Sequence, residues 1–239
     1  MARRLKVLAS AVGLCAATAS TSAADLPPPA APAPFYNWTG LYVGLNAGYA
    51  GATIATTVAG GGLDGSGSVN VPGGIGGAQF GYNYQMGPMV LGFEADFDGT
   101  MATKSLATIT TAAGTTSGTA QIPWIGTLRG RLGYAFGRFL VYVTAGGAAT
   151  QLISMVNVGA VGSASTTFTH GAWTAGGGFE AAVTDNLSAR LEYLYLDTGN
   201  FAVAQVGPPF VTVTGRVQDN LIRAGLNYRL PVDWQRVFK

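Results

Sequence analysis

Residues 124–148, WIGTLRGRLGYAFGRFLVYVTAGGA, contain two strand-length segments joined by the short connection Phe136-Gly137-Arg138. Polar and apolar side chains alternate along the first segment, which is the period-two pattern of a β-strand with two different faces. One face carries Trp124, Leu128, Leu132, Tyr134 and Phe136, and the other carries Thr127, Arg129 and Arg131. The second segment, residues 139–152, is apolar on both faces, so its register stays open. The stretch therefore predicts a β-hairpin whose first strand has one apolar and one charged face.

Segments of the same kind recur along the chain and predict eight strands. They span about residues 38–50, 76–86, 89–98, 124–136, 139–152, 173–183, 187–195 and 222–230. Three short connections lie around residues 86–88, 136–138 and 184–186, and they alternate with four long ones at about residues 51–74, 99–119, 153–168 and 198–215. Outer-membrane barrels alternate short periplasmic turns with long extracellular loops in this way. A soluble sandwich has no reason to sort its loops by side so consistently.

The composition is consistent with a membrane barrel. Hydrophobic residues make up 48% of the chain and charged residues only 10%, against a usual charged share of about 25%. In lipid, only helices and closed barrels satisfy every backbone polar group, and no apolar run long enough for a spanning helix follows residue 24. Composition alone leaves a soluble all-β core as the alternative, and the loop order favours the barrel. We therefore predict an all-β, eight-stranded antiparallel up-and-down transmembrane β-barrel over residues 38–239, with four long surface loops.

The beginning of the chain has the features of an exported protein. Residues 1–24 have the basic start, short apolar stretch and small final residues of a cleavable signal peptide. The Pro-rich residues 25–37, DLPPPAAPAPFYN, predict an extended periplasmic spacer. Loss of the signal removes the single cysteine, Cys15, and leaves 10 basic and 11 acidic residues. The mature chain thus has no disulfide framework and gives no support for nucleic-acid binding, which needs a basic patch or stripe.

The charged faces of the strands predict a network inside the barrel. An arginine that faces lipid at mid-depth costs about 2–4 kcal/mol, so we expect the charged faces to point inward. The predicted lumen charge network comprises Glu94, Asp96, Asp98, Arg129, Arg131, Glu180, Arg190, Glu192, Arg223 and Arg229. Four glycines of the same inner faces are expected to make room for the long arginines: Gly44, Gly48, Gly81 and Gly92. Eight strands leave an interior just wide enough for side chains, so the network should fill a narrow lumen.

Aromatic side chains near the predicted strand ends indicate where the membrane surfaces lie. Trp and Tyr concentrate at both interfaces of membrane barrels, because their rings are apolar and each carries one polar atom. The predicted aromatic girdle consists of Trp38, Tyr49, Trp124, Tyr134, Trp173 and Tyr195.

Several segments resemble the alphaproteobacterial Omp25/Omp31-type family of porin-like outer-membrane proteins. They are AADLP followed by FYNWTGLYVGLNAGY, the pair FGYNYQ and LGFEADFD, residues 124–148, NLSARLEYLYLD, and the closing NLIRAGLNYRL. The resemblance covers the predicted strands and fades in the loops. It implies an eight-stranded barrel, an outer-membrane location, surface exposure and often immunogenicity. One departure is the end of the chain: such barrels usually finish on an aromatic residue that the assembly machinery recognises, whereas here Phe238 is penultimate.

Three functional interpretations stay open. The first is a structural envelope protein with surface-interaction loops, the second is porin-like passage of small solutes, and the third is a lipid-modifying enzyme. The enzyme would use His170, the only histidine, with Ser163 or Ser165 and Glu180. No motif links these residues, and ten positions of extended strand separate His170 from Glu180, so we predict no catalytic site.

We also predict neither a cofactor nor a metal. Hard cations want oxygen ligands, but salt bridges with lumen arginines explain the carboxylates of Glu94, Asp96 and Asp98 better. The expected partners are outer-membrane lipid and lipopolysaccharide, the barrel-assembly machinery during insertion, and host or environmental surface ligands for the loops, with no nucleic acid.

Overall fold

The computed structural model describes residues 36–60, 64–105, 109–111, 114–158, 162–206 and 211–231. The signal peptide (residues 1–24), nearly all of the spacer (residues 25–37) and Phe238 lie outside the described residues, and they stay predictions. Within the described ranges, no helix is both long enough and apolar enough to cross a membrane.

Ten strands form one antiparallel sheet that closes on itself. They are β1 (Gly40–Ala59), β2 (Gly65–Met86), β3 (Met89–Ser105), β4 (Ile109–Thr111), β5 (Gly114–Phe136), β6 (Phe139–Val158), β7 (Gly162–Ala182), β8 (Leu187–Asp197), β9 (Phe201–Val206) and β10 (Val211–Arg229). The order around the sheet is β1-β2-β3-β5-β6-β7-β8-β10, and β10 pairs with β1 to close an eight-stranded ring. The short strands β4 and β9 each pair with a single ring strand, β5 and β10 respectively. The predicted eight-stranded up-and-down barrel is confirmed.

Local chemistry explains the three short connections. Gly87 and Gly137 have φ angles of 59° and 61° and each stands first in a two-residue turn. A positive φ at the first central residue alone is the geometry of a type II′ turn, whose twist matches that of the flanking strands. In the third connection, the hydroxyl of Thr184 accepts hydrogen bonds from the backbone N–H groups of Asn186 (3.3 Å) and Leu187 (3.0 Å).

Alternation along the strands separates the interior from the lipid-facing surface. On β1, Tyr42, Asn46 and Ala50 are buried, whereas Leu45 and Tyr49 are 69% and 57% exposed. This is the division between charged or polar and apolar faces that the sequence predicts. Apolar side chains on the outer surface are expected for a barrel in a membrane, because this surface contacts the hydrocarbon of the lipid.

The structure also assigns β6, whose register the sequence left open. Leu140, Tyr142 and Thr144 are buried in the interior, whereas Val141 and Val143 are 54% and 60% exposed on the outer surface. Both faces of this strand are apolar because Leu140 and Tyr142 belong to an apolar cluster inside the barrel, while the valines face lipid.

The strands extend much further than predicted, and the four predicted long loops are wrong in extent. Residues 51–58 pair with residues 65–72 along β1 and β2, and β6 pairs with β7 over its whole length to Val158. Glycine, serine and alanine are poor strand formers, which is why the composition indicated loops. Once the two arms of a hairpin leave the membrane in register, however, they continue the same hydrogen-bonded ladder.

Candidate functional site

Nine charged side chains meet in the middle of the barrel interior. Each lies at an inward position of β3, β5, β7, β8 or β10, and each is buried. They are Glu94, Asp96, Asp98, Glu180, Glu192, Arg129, Arg131, Arg190 and Arg223. We call this set the interior charge cluster. Because every arginine of the set bonds to at least one of the acids, the cluster connects five strands across the interior.

Arg129 is the most heavily bonded member. Its Nη2 lies 2.6 Å from Oε1 of Glu94 and 2.6 Å from Oδ2 of Asp96, both on the neighbouring β3. Its Nη1 donates to Oε1 of Glu192 on β8 at 3.0 Å, and its Nε donates to the hydroxyl of Thr127 at 2.9 Å. A guanidinium has five N–H donors in a fixed plane, and this environment supplies an acceptor to each of its three nitrogens.

Arg223 joins the same acids from the other side of the barrel. Its Nη1 lies 2.9 Å from Oδ1 of Asp96 and also bonds to Asp98, and its Nη2 lies 2.6 Å from Oε2 of Glu192. Asp96 and Glu192 therefore each lie between Arg223 and Arg129. Two arginines with shared acids repel one another less than two isolated cations would, because the carboxylates stand between them.

Arg131 and Glu180 form a second centre nearer the short turns. The guanidinium of Arg131 pairs with Glu180 and its Cζ lies 3.7 Å from the centroid of the Tyr142 ring. Glu180 also accepts a hydrogen bond from Nδ2 of Asn227 at 2.9 Å and one from the hydroxyl of Ser188. A cation over an aromatic face gains further when both are desolvated, so this centre combines an ion pair with a cation–π contact.

Tyr42 connects the two centres, because its phenol oxygen accepts a hydrogen bond from Nη1 of Arg131 at 3.4 Å, and Arg190 adds further bonds to the acids around Arg129. Arg190 bonds to Glu94, and its Nη2 lies 3.7 Å from Oε2 of Glu192. The phenol of Tyr42 donates to Oε2 of Glu94 at 2.7 Å. Glu94 thus accepts from two arginines and one tyrosine. Among the described residues, no group of three or more acidic, histidine or cysteine side chains is arranged to hold a metal ion.

The inner glycines make room for neutral polar side chains more than for arginines, which corrects the sequence expectation. A Cβ at Gly81 would lie 2.6 Å from Cζ of Tyr42, and a Cβ at Gly44 would lie 2.6 Å from Nε2 of Gln79. The other two glycines named from the sequence are also too close to neighbouring atoms for a side chain, Gly48 and Gly92. These glycines let the tyrosine and glutamine that surround the cluster lie flat against the barrel wall.

An apolar layer lies above the interior charge cluster, toward the long connections. Along β8, the inward Arg190 and Glu192 are followed by the inward Leu194 and Leu196, which are each 1% exposed. The upper apolar layer consists of Ala50, Ala52, Val71, Ile75, Ala102, Ile122, Ile125, Leu194, Leu196, Val217 and Leu221. Each of these side chains occupies interior space directly beyond the charges.

A second apolar layer lies below the cluster, beside the short turns. It consists of Trp38, Val90, Leu140, Tyr142 and Ala182. The predicted place of Trp38 in the lipid-facing girdle is therefore wrong, because its side chain is 4% exposed and lies inside. Trp38 has the same parity as the inward Tyr42, and that parity directs it away from lipid. Its Nε1 donates to the carbonyl of Gly137 at 3.4 Å.

The other five girdle residues lie on the outer surface. Tyr49, Tyr134 and Trp173 are 57%, 44% and 51% exposed. Trp173 packs on Tyr195 with ring centroids 5.4 Å apart, and Trp124 stacks on an exposed phenylalanine at 5.5 Å. Their exposure is compatible with the interfacial role that remains a prediction.

Arg229 lies outside the interior charge cluster, which corrects its predicted place in the network. It sits at the end of β10, beyond the lower apolar layer, where Nη2 donates to the carbonyl of Asp185 at 2.6 Å and Nη1 bonds to the carbonyl of Asn37. Its Cζ lies 5.1 Å from the centroid of Tyr36. Burial raises the pKa of the Tyr36 phenol, and the positive charge of Arg229 opposes that rise. Arg229 therefore connects the segment before β1 to the short turn at Asp185, at the end of the barrel where the short turns lie.

Sequence reasoning missed two buried acids, Asp197 at the end of β8 and, inside the barrel, Asp219. Asp219 is 2% exposed and occupies an inward position of β10 between Val217 and Leu221, within the upper apolar layer. The sequence pattern could have identified this second acid, because Asp219 and Leu221 lie four and two residues before the inward Arg223 and therefore share its face of the strand.

The residues of the proposed enzyme do not come together. His170 lies within β7, opposite Thr150 of β6, and its ring stacks on Phe201 with centroids 3.7 Å apart. Ser163 and Ser165 are exposed and have the opposite parity on the same strand, so they face away from the histidine. Glu180 is engaged in the interior charge cluster, ten residues further along β7.

Comparison with known proteins identifies similar sequences over nearly the whole chain. The sequence profile of the outer membrane protein beta-barrel domain matches residues 9–229. The 31 kDa outer-membrane immunogenic protein of Brucella melitensis biotype 1 is 39% identical over 215 residues, which cover 84% of this chain and 88% of that protein. The 25 kDa outer-membrane immunogenic protein of Brucella abortus biovar 1 is 33% identical over 214 residues, covering 90% and 89%.

Among solved structures, the outer membrane protease OmpT of Escherichia coli has a TM-score of 0.50 with 10% identity, covering 80% of this chain and 97% of that one. At this level of identity the similarity concerns the fold alone.

Proposed function

Because the chain belongs to the outer membrane protein beta-barrel family, we propose that it is a structural and surface-contact protein of the outer membrane, with a barrel interior closed to solutes. Its location is the outer membrane. The family supports many roles on one barrel, so the choice among them rests on the interior and on the surface beyond the membrane.

The observation that carries the proposal is the order of side chains through the interior. A layer of ion-paired charges lies between two apolar layers. Ions cross a pore readily only where water or polar ligands replace their hydration shells. The apolar layers offer little of either, with the single buried carboxyl of Asp219 in the upper layer as the exception, and the arginines and acids of the interior charge cluster are already bonded to one another. The narrow interior of an eight-stranded barrel, filled by the charge cluster and the two apolar layers, therefore supports a closed barrel.

The second part of the proposal concerns the strand extensions above the membrane. β1 and β2 continue as a paired hairpin well beyond Tyr49, whose exposed ring we place at the outer interface. Paired arms hold their tips at a defined distance from the membrane, unlike long free loops. We propose that these extensions contact environmental or host surface ligands, and that the outer surface contacts lipid and lipopolysaccharide.

The names of the two Brucella relatives describe immunogenic outer-membrane proteins. If the strand extensions of this chain are exposed at the cell surface, we expect this protein to be immunogenic as well. We also propose that the barrel-assembly machinery inserts it. None of these partners requires a cofactor.

We further propose that the protein is not an enzyme. The relatives' names do not describe enzymes, and the described histidine, serine and glutamate candidates lie apart. Mass spectrometry of lipid A from cells with and without the protein tests this directly. We expect identical spectra, and a mass change that depends on His170 would contradict the proposal.

Single-channel recording in a planar bilayer tests the closed interior. The mature protein is refolded, and its folding is verified by a mobility difference between unheated and boiled samples in a detergent gel. We expect no steady openings from folded protein, under conditions in which an open porin conducts. Reproducible openings of one amplitude would contradict the proposal and support porin-like passage of small solutes.

A further inference from the structure

A cavity of about 430 Å³ opens in the upper barrel, above the upper apolar layer. Its walls include Ile54, Val69, Leu152, Phe168 and Phe201. Several of these side chains also pack on the upper apolar layer, which forms the floor. Small-molecule sites commonly have volumes of about 300–1,000 Å³ and occur in the mouths of β-barrels. The cavity is therefore large enough for a small ligand and is closed below.

The chemistry of the walls selects against charge. Besides the apolar side chains, the cavity is lined by the hydroxyl-bearing Thr56, Ser68 and Ser154 and by two glycines, Gly67 and Gly215. Among the described residues, no lysine, arginine, aspartate or glutamate lines it. A charged molecule would lose its hydration here without gaining an ion pair, whereas an uncharged molecule with one polar group could bond to a hydroxyl.

Aromatic rings give one wall a flat shape. Phe201 of β9 stacks on His170 with centroids 3.7 Å apart and planes inclined by 24°, and Phe168 lies 5.9 Å from the same histidine at 25°. Phe168 and Phe201 both line the cavity. A flat ring that enters can continue this near-parallel arrangement, because offset-stacked aromatic pairs are favourable.

Two further observations concern this aromatic wall, one about His170 and one about β9. Nε2 of His170 is buried and has no hydrogen-bond partner among the described residues. Within the described ranges, β9, which carries Phe201, pairs with β10 alone, and it continues the line of β8, since β8 and β9 pair with successive segments of β10, residues 218–228 and 211–215. The aromatic wall is thus built from β7 and from the continuation of β8 toward the long connections.

We propose that this cavity binds an uncharged planar aromatic molecule of one or two rings that carries a single hydrogen-bonding group. The site is separate from the interior charge cluster and does not require conduction. Its occupant enters from outside the cell and remains above the upper apolar layer.

The test is binding of 6-fluoroindole, followed by ¹⁹F NMR, to the folded protein in lipid nanodiscs. Empty nanodiscs measure partition of the probe into lipid. Gly67→Leu places a side chain in the cavity, because a Cβ at Gly67 meets no atom within 4 Å. The matched control is Gly74→Leu on the same strand, where a Cβ also meets nothing but the outward position faces lipid.

We expect 6-fluoroindole to bind wild type and Gly74→Leu equally, and to bind Gly67→Leu at least tenfold more weakly. Phe201→Ala, as a second variant, should weaken binding because one stacking face is lost. No signal above empty nanodiscs, or equal binding to Gly67→Leu, would overturn the proposal. Binding of 1-fluorooctane in place of 6-fluoroindole would also overturn it, since the site would then accept acyl chains rather than planar rings.

Discussion

Nη1 of Arg129 on β5 lies 3.0 Å from Oε1 of Glu192 on β8, so this ion pair spans the barrel interior between strands three positions apart in the sheet. Both side chains are almost completely buried. Burial of two charges is expensive, and their attraction repays this cost only when further hydrogen bonds satisfy the remaining donors and acceptors. The shared acids around Arg129 provide those bonds.

Arg129→Ala should lower the free energy of unfolding by about 3–5 kcal/mol, because it leaves Glu94, Asp96 and Glu192 short of their partner. Urea unfolding of the protein in lipid vesicles, followed by tryptophan fluorescence, measures this change. The matched control is Arg138→Ala, which breaks the exposed pair with Asp185 and should cost no more than about 1 kcal/mol. Similar small losses for both variants would mean that the interior pairs do not hold the barrel together.

The pair Arg131–Glu180 allows a double-mutant cycle. Arg131→Ala alone should destabilise the refolded barrel strongly, because Glu180 then remains buried without its cation. Adding Glu180→Ala should cost less than it does in wild type, which gives a coupling energy of about 0.5–3 kcal/mol. Arg138 and Asp185 provide the exposed reference cycle, for which coupling should be smaller. Strict additivity at Arg131 and Glu180 would contradict the direct pairing.

The barrel itself could be predicted because period-two alternation and the order of short and long connections both follow from the backbone. Strand length is underpredicted because the connections as a whole are rich in Gly, Ser, Thr and Ala, a composition typical of loops, although residues 51–58 include β-branched residues with high strand propensity, such as Ile54 and Val58. The pairing of these extensions depends on register set within the membrane, as in β1 and β2. A local composition rule does not contain that information.

The interior residues could largely be predicted from parity, and the errors arose where parity was not applied, as at Trp38, or was applied without regard to depth, as at Arg229. Trp38 was assigned to the girdle by residue type, although its position matches the inward Tyr42. Continuing the inward series past Glu192 gives Leu194 and Leu196, which reveals the upper apolar layer. Which acid bonds to which arginine, in contrast, depends on side-chain reach across the barrel and is not encoded in spacing.

Gly81→Ala tests the close packing around the interior charge cluster. The new Cβ would lie 2.6 Å from Cζ of Tyr42 and 2.5 Å from the carbonyl oxygen of Phe93, so the tyrosine and the β3 backbone must both move, and the 2.7 Å hydrogen bond from Tyr42 to Glu94 weakens. Overpacking of this kind costs about 1–3 kcal/mol, measurable by the same urea unfolding. Gly147→Ala is the control, since a Cβ there meets no atom within 4 Å. A loss that is no greater for Gly81→Ala than for Gly147→Ala would show that neither Tyr42 nor the β3 backbone is tightly held beside Gly81.

Tryptophan quenching tests which side of the wall Trp38 occupies. Two variants each keep one of the four tryptophans, either Trp38 or Trp173, and replace the other three with phenylalanine. In vesicles of phospholipids with brominated acyl chains, we expect strong quenching of Trp173, whose side chain is 51% exposed on the outer surface. Trp38 should be quenched much less, because the barrel wall separates it from lipid at 4% exposure. Folding of both variants is verified by gel mobility before heating, and quenching of Trp38 equal to that of Trp173 would place it in the girdle after all and remove the lower apolar layer.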